Sequence, residues 1–540
     1  MHVLFASGID GFCHRYAVLH WAEQLATRGI ASTVRAHVDP RLAGDLADHD
    51  LLVLYRVPFS PWIARLIEWA RARGRTTVFA IDDLIVDPAA PMPPAVERRS
   101  DGERAAWQEG VLRYHATMRA CRVFLGTTAP LRDYGRAAEK PAYLHRGGLG
   151  DLELALGARA AAARTAPPAR PFRLGYFSGT PTHDDDLAAI TPVLVDLLDA
   201  RPALELVVGG TVALDPALAR FGARVQHRPL VPWPELPALL AEVDVNLAPL
   251  DWRHPFAAAK GAVKYLEAAA IGVPTVASPT EAFRHAISDG TNGLLAADAA
   301  AWQRTLAALT DDPARAARLG AVAREDVRRR FGPAMQGADL ETLLRECMAR
   351  RRRTRARGPE PAPPTPADEL TLAASFPGEL ARAAREPHGL PNLPAPAVDG
   401  TTAPLGDGVV LSQPFTATHA GLVRVDVHSV TYGQQLAHDL ELRLRRDDDG
   451  AVVAAERLPA VLAPDRDWLA LALPRQADSA GRRYTLELEA YSTGAGNALS
   501  FGTVPVPAGG TPYRLAGEPE SATLALRTFT DGLELEGAAP

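Results

Sequence analysis

Two lysines and a glutamate stand close together in the stretch KGAVKYLEAAAIGVPTVAS: Lys260, Lys264 and Glu267. On a helix advancing about 100° per residue, these positions fall within roughly 60° of one another. Two ammonium groups and one carboxylate then share a face. The lysines can neutralise a diphosphate, and the carboxylate can accept two hydrogen bonds from a ribose diol. The plainer alternative is a solvated charged face with an i, i+3 salt bridge. The helix is expected to stop at Gly272, with Val273–Ala277 as the next strand and Ser278 just beyond it.

Three further loops carry candidate groups. After the apolar run at 172–177 comes Ser178-Gly179-Thr180-Pro181-Thr182-His183-Asp184. Gly179 allows close backbone approach, and Thr182 or Asp184 can cap a helix beginning near Asp185. Free amides at a helix start favour an anion. The aspartates Asp184 to Asp186 repel a diphosphate and favour the first helical turn instead. Gly179 and Thr180 as groups lining an anionic ligand, and a plain strand-to-helix turn, both remain open; His183 is the weaker candidate. Near the start, Ser7-Gly8-Ile9-Asp10-Gly11-Phe12 follows the opening strand. Gly8, Asp10 and Gly11 form a loop able to approach a phosphate or an acceptor, with an ordinary turn as the alternative. Asp82 and Asp83 follow the strand ending at Ile81. A carboxylate there can orient sugar hydroxyls or activate an acceptor hydroxyl, or Asp83 caps a turn. His115 reads as packing or surface. His145 stands near a domain junction with no role assigned by its neighbours.

The elements that must position these groups follow from the hydrophobic pattern. Up to about residue 350, short apolar runs alternate with helical stretches: Val3–Phe5, then a helix from about His14 to Arg28; Leu51–Leu54, then a helix from about Pro61 to Arg73; then Thr77–Ile81 and Val123–Leu125. This alternation predicts parallel strands with crossover helices, buried on both faces. The rhythm pauses at 158–171 and resumes with strands at 172–177, Leu204–Val208, Val243–Leu247 and Val273–Ala277. Two Rossmann-like doubly wound domains are therefore expected, at 1–165 and 166–350, with a ligand cleft between sheets whose strand ends open onto it. A Pro-rich linker is expected at 351–398. From 399 to 535 the period becomes two, as in Val423, Val425 and Val427, Leu440, Leu442 and Leu444, and Tyr484, Leu486 and Leu488. With a hairpin turn at Asp448-Asp449-Gly450, this reads as an antiparallel β-sandwich or jelly roll.

Composition narrows the function. The chain has 540 residues, 58 Lys plus Arg against 64 Asp plus Glu, and a formal charge of −6. A general nucleic-acid binder would carry a basic excess. The 47% hydrophobic and 23% charged fractions are those of a globular protein. No apolar run reaches the roughly 18 residues of a membrane span. The opening segment reads as a strand without the basic and apolar regions of a secretory signal. Three scattered cysteines, Cys13, Cys121 and Cys347, exclude a disulfide scaffold or zinc module, and a cytoplasmic location is expected.

Within this frame the region 172–335 resembles the nucleotide-sugar domain of a GT-B glycosyltransferase, close to glycosyltransferase family 4. The resemblance rests on the 175–187 loop with Gly175, Gly179 and His183, on LVVG ending at Gly209, and on Val243-Asp-Val-Asn-Leu-Ala-Pro249. The Lys260–Ser278 block and Asp289-Gly-Thr-Asn-Gly293 complete it. The first 165 residues resemble the partner domain more weakly. The resemblance implies that Glu267 grips the donor ribose and that Lys264 meets the diphosphate. Lys260 matches a second lysine of polysaccharide-assembly enzymes. It further implies a retaining transfer with no metal and no cofactor beyond the nucleotide-diphosphate sugar. The acceptor is then a glycan or lipid-linked glycan of bacterial surface-polysaccharide synthesis. The basic run from Arg350 to Arg357 can contact the inner membrane face, or is a solvated helix end. Two departures stand out. Ala259 occupies a position eight residues before Glu267 where many members carry a glutamate, and the loop after 177 lacks an Arg/Lys pair. Two other readings therefore stay open: a non-catalytic glycan-binding scaffold with a degenerate core, and a nucleotide-sugar epimerase.

Overall fold

The apolar runs become strands covered on both sides. The first sheet contains β1 (His2–Ser7), β2 (Ala31–Ala36), β3 (Leu51–Tyr55), β4 (Thr76–Ile81), β5 (Val123–Gly126) and β6 (Ala142–Leu144). The second contains β7 (Phe172–Ser178), β8 (Leu204–Gly210), β9 (Val225–Arg228), β10 (Val245–Ala248), β11 (Thr275–Ala277) and β12 (Leu294–Leu295). The computed structural model describes residues 1–349 apart from 10, 40, 165–169 and 180–183. Beyond them it describes 390–391, 400–406, 408–417, 421–430, 439–459, 467–491, 499–505 and 511–530.

Strand order is β2-β1-β3-β4-β5-β6 in the first sheet and β12-β11-β10-β7-β8-β9 in the second. The pairs whose register is described in these sheets are parallel. Every residue of β3 and β4 is buried, as continuous apolar strands between two helical layers require. Both sheets reverse their direction of growth internally, at β1/β3 and at β7/β10. Such switch points open a crevice at the carboxyl ends of the strands. The architecture is thus two Rossmann-like domains, as the alternation predicts. β2, β6 and β9 are short or partly exposed, and the hydrophobic pattern did not mark them.

The helices form where the pattern and caps agree. Pro61–Ala72 starts on Ser60, whose hydroxyl accepts from the Ile63 amide at 3.2 Å, and buries Trp62, Ile63, Leu66, Ile67 and Ala70 at helical spacing. The stretch expected as one helix from His14 to Arg28 is instead Gly11–His14, a π turn at Arg15–Leu19, and His20–Ala26. The Val263–Ile271 helix ends at Gly272, whose φ of +84° takes the left-handed cap that a glycine adopts freely. Lys260 lies outside it. The short helix Pro255–Ala258 ends first, and Lys260 sits in the intervening turn, so the expected shared helical face holds for Lys264 and Glu267 alone.

That helix is the structural centre of the second domain. Tyr265 through Ile271 are all buried, which fits its run of alanines. It packs between the helices Asp151–Ala162 and Pro313–Arg330. Close approach is possible because Gly157 faces Ala270 and Gly320 faces the Gly272 carbonyl. The last helix, Pro333–Ala349, crosses back onto His20–Ala26 of the first domain. There the Leu149 amide donates to the Phe331 carbonyl at 2.8 Å.

The chain divides into two compact units, Met1–Ala6 with Arg15–Val34 and Gly44–Pro363, and Ser7–His14 with Arg35–Ala43 and Pro364–Pro540. In the second unit the period-two segments form two antiparallel sheets. Leu440, Leu442 and Leu444 pair with Ala490, Leu488 and Leu486, and all six are buried. Asp448-Asp449-Gly450 makes the expected turn, where the Arg446 amide donates to the Ala451 carbonyl at 2.8 Å. Leu390–Pro391, inside the stretch read as linker, pairs with Leu526–Thr530. Among the described residues, no helix is long and apolar enough to cross a membrane.

A methyl at Gly320 would fall 2.0 Å from the Gly272 carbonyl oxygen. Gly320→Ala is expected to destabilise the protein by about 1–3 kcal/mol, through overpacking. Gly110→Ala, with open space around its helical position, should be neutral or slightly stabilising. Chemical denaturation of the two variants checks this.

Candidate functional site

The β7/β10 switch point is where the second sheet offers a site, and the buried helix delivers Lys264 and Glu267 to it. The Lys264 ammonium donates to the Phe177 carbonyl near the end of β7 and lies 4.9 Å from the centre of the Tyr176 ring. Burial pushes its pKa down to about 8, against the pull of Glu267 and Asp186, with Lys260 adding to the depression. Glu267 is likewise buried. Burial raises its carboxyl, while a hydrogen bond from the Tyr16 hydroxyl and the charge of Lys264 act in the opposite direction. Burial and the adjacent Glu267 hold the Tyr16 phenol protonated far beyond neutrality.

More ionisable groups crowd the same interior. Arg15 pairs with Glu23 at 2.6 Å and stacks over Trp233, 4.3 Å from the ring centre. Its Nε and Nη2 are buried without a hydrogen-bond partner among the described residues. Glu153, on the helix Asp151–Ala162, is 2% exposed, and its Oε2 is also without a partner. Burial pushes Glu153 up to about 8, reinforced by Glu267 and Glu23 and opposed by Arg15. It is therefore neutral at pH 7, which relieves the repulsion among three carboxylates.

The first sheet contributes a second array. Arg56 follows β3 with φ of +48°, in the left-handed region, and is buried. Its guanidinium forks to both acids beyond β4: Nε to Asp82, and Nη2 to Asp83 at 2.5 Å. Lys260 Nζ reaches Asp83 at 3.4 Å and sits 4.6 Å from the Phe256 ring centre. Lys260 thus pairs with an acid of the first domain, while its charge still acts on Lys264. A carboxylate held by a guanidinium still has free lone pairs for hydroxyl groups.

The remaining candidates are placed as follows. Ser278 is buried, and its hydroxyl accepts from the Leu250 amide at 2.9 Å, tying together the ends of β10 and β11. Gly179 is a half-exposed bend directly after β7. In the loop after β1, Gly8 is half-buried and Gly11 exposed, while Ser7 donates to the Ile9 carbonyl at 2.7 Å. Thr180, His183 and Asp10 lie outside the described residues, as do Thr182 and Arg350 to Arg357. His115 contacts the Val86 carbonyl and the Tyr134 hydroxyl, a packing role. His145 is buried against Gln24, and burial alone lowers its pKa to about 4, so it stays neutral.

Sequence reasoning missed Arg15, Tyr16, Glu23, Glu153 and Arg56. Arg56 carried a usable signal: it follows β3 just as Asp82 follows β4, and adjacent parallel strands bring their ends together. Tyr16 and Glu153 carried none, because separate helices bring them to Glu267.

Residues 177–312 match the family model described as "Glycosyl transferases group 1". Residues 381–531 match a "Family of unknown function", DUF6212. No curated protein matches the sequence. Among solved structures, the chain is similar to Anabaena HepE in complex with UDP, at 15% identity and a TM-score of 0.43, covering 64% of this chain and 100% of that one. It is also similar to sucrose-phosphate synthase from Thermosynechococcus elongatus, at 18% identity and 0.43, covering 64% and 99%. A third similar structure is UDP-GlcNAc 2-epimerase from Neisseria meningitidis, at 12% and 0.39, covering 64% and 100%. Two tandem doubly wound sheets, the second bearing the group 1 match, define the class: the α/β part has GT-B architecture and carries a domain similar to glycosyl transferases group 1.

Glu153 makes folding pH-dependent in a defined direction. Its pKa is 4.5 ordinarily and about 8 when folded. Unfolding releases its proton between those values, so its stabilising contribution is complete below 4.5 and lost as pH rises through 8. Glu153→Gln removes this loss. Its melting temperature relative to wild type should be clearly higher at pH 8 than at pH 5.

Proposed function

We propose that the enzyme transfers a sugar from a nucleotide-diphosphate donor to a glycan or lipid-linked glycan, with retention of configuration, in bacterial surface-polysaccharide synthesis. The observation that carries the donor assignment is the placement of Lys264 and Glu267 on one buried helix at the β7/β10 crevice, inside the region that matches the family. Lys264 meets the diphosphate, and Glu267 accepts hydrogen bonds from the ribose diol. Gly179 lets the donor approach the end of β7, joined by Thr180 and His183. As the glycosidic bond breaks, negative charge grows on the leaving diphosphate. A fixed ammonium stabilises that charge more than the ground state, which lowers the barrier.

Asp82 and Asp83, held side by side by Arg56, orient sugar hydroxyls or activate an acceptor hydroxyl. No group is assigned as a covalent nucleophile, and no metal or cofactor takes part in this reading. Contact of the 350–357 segment with an anionic leaflet would bring a lipid-linked acceptor within reach.

One observation favours a second reading, a glycan-binding scaffold. Ala259 is fully buried, and its carbonyl accepts from Thr128 at 2.8 Å, so this position serves packing and supplies no carboxylate.

A thermal-shift series with the common ribonucleoside diphosphates separates the two. A ligand that binds the folded state raises its melting temperature. The transferase reading expects one diphosphate to stabilise the wild type, and Glu267→Ala and Lys264→Ala to lose the shift. No shift at millimolar ligand with folded protein moves the assignment to the scaffold. The pH profile adds a check. Lys264 loses its charge through about 8, so diphosphate affinity should fall between pH 7 and 9. Lys264→Arg, which keeps its charge, should flatten that fall.

A further inference from the structure

Glu267 has a partner that the transferase reading does not use. The Tyr16 hydroxyl donates to its Oε1, from the other α/β domain. Tyr16 stands in the π turn Arg15–Leu19, where an extra residue in the helical turn re-aims the side chains. Its ring is set edge-on to His20, with centres 5.5 Å apart, and His20 Nδ1 lies 2.8 Å from the Gly148 carbonyl. The phenol is therefore held on a packed, hydrogen-bonded platform, and the carboxylate it meets rides on a helix buried from Tyr265 through Ile271.

We infer that Tyr16 is a positioning residue for donor binding: its hydroxyl fixes the Glu267 carboxylate in the orientation that a ribose diol requires. The inference rests on the reading of Glu267 as the ribose-binding group. An ionised carboxylate offers about four lone-pair sites. Tyr16 takes one, which leaves acceptor capacity for a diol. A protonated Glu267 would lose acceptor capacity just where two hydroxyls need to donate.

The surrounding charges make that outcome a real alternative. Glu153 faces Glu267 from the helix Asp151–Ala162, with Glu23 and Arg15 around it. Lys264 supports the ionised form from one turn earlier on the same helix, itself flanked by Lys260 and Asp186. Burial favours the neutral acid, and the phenol hydrogen bond opposes it. Removing the hydroxyl withdraws one of the two supports of the charged form.

The test is calorimetric titration of the four common ribonucleoside diphosphates and their 2′,3′-dideoxy counterparts into wild type, Tyr16→Phe, Tyr16→Leu and Glu267→Ala, from pH 6 to 8. Tyr16→Phe should weaken ribonucleoside diphosphate binding about ten- to a hundred-fold at pH 7, the worth of one hydrogen bond to a charged group. The loss should grow toward pH 6 and be absent for the dideoxy ligands. Tyr16→Leu decides the question in the same way if the Phe variant does not fold.

Equal losses for ribo and dideoxy ligands would mean a purely structural contact. Unchanged or tighter binding by the Tyr16 variants would mean that the hydroxyl does nothing for the diol, or competes with it. Either result overturns the inference while leaving the donor site intact. Full binding by Glu267→Ala, or none by the wild type, overturns the donor reading itself.

Discussion

An ionisable pair carried on a helix buried from Tyr265 through Ile271 is the constraint around which the α/β unit is arranged. Burying a carboxylate or an ammonium costs several kcal/mol unless it is paired and hydrogen-bonded. Lys264 and Glu267 meet that cost locally: the ammonium donates to a strand carbonyl, and the carboxylate accepts from a phenol. The rest of the helix makes the burial possible. Ala268, Ala269 and Ala270 keep it thin, and Gly157 and Gly320 let two neighbouring helices close on it. Asn246 holds it against the sheet, donating to the Lys264 carbonyl at 3.0 Å and to Thr275 at 3.1 Å.

A second charged array obeys the same logic at the end of the first sheet. Arg56 holds a backbone conformation that costs a non-glycine residue of order 1 kcal/mol or more. Two charge-assisted hydrogen bonds to Asp82 and Asp83 offset it, and they fix both carboxylates side by side. Lys260 then links this array to the second domain through Asp83. Strain, paired charge and proximity to strand ends coincide at one place, which is the pattern expected of a site preorganised for polar groups.

The β-sandwich solves a simpler problem. Its inward residues are leucines and valines at alternate positions, and a slip of one residue would turn them to solvent. On the opposite face of the same strands, Arg443 lies 2.7 Å from Glu441 and 3.3 Å from Glu487, and Arg445 lies 3.0 Å from Glu487. These half-buried pairs form a charged network on the side of the sheet away from the leucines. Tyr491 is engaged on this face. Arg457 lies 4.2 Å from its ring centre, and its hydroxyl donates to Glu441 at 2.9 Å.

Periodicity and composition were enough to determine the alternation of strands and helices, the two doubly wound domains, the change to period two near 400, and the hairpin at Asp448–Gly450. These are local properties: a side chain's face follows from its position along a strand or helix, and a turn from its own residues. The placement of Lys264 and Glu267 on one face was legible for the same reason. Lys260 was not, because the helix begins three residues later than spacing alone suggests. Its side chain turns instead toward Asp83, an acid 177 positions away in the chain. The partners that decide the chemistry, Tyr16 and Glu153 beside Glu267 and Arg56 between the two aspartates, come from separate elements and meet only when sheets and helices pack. Burial decides their protonation. Burial belongs to the packed tertiary structure and to no single stretch of sequence, so only the fold could set which of these groups carries a charge.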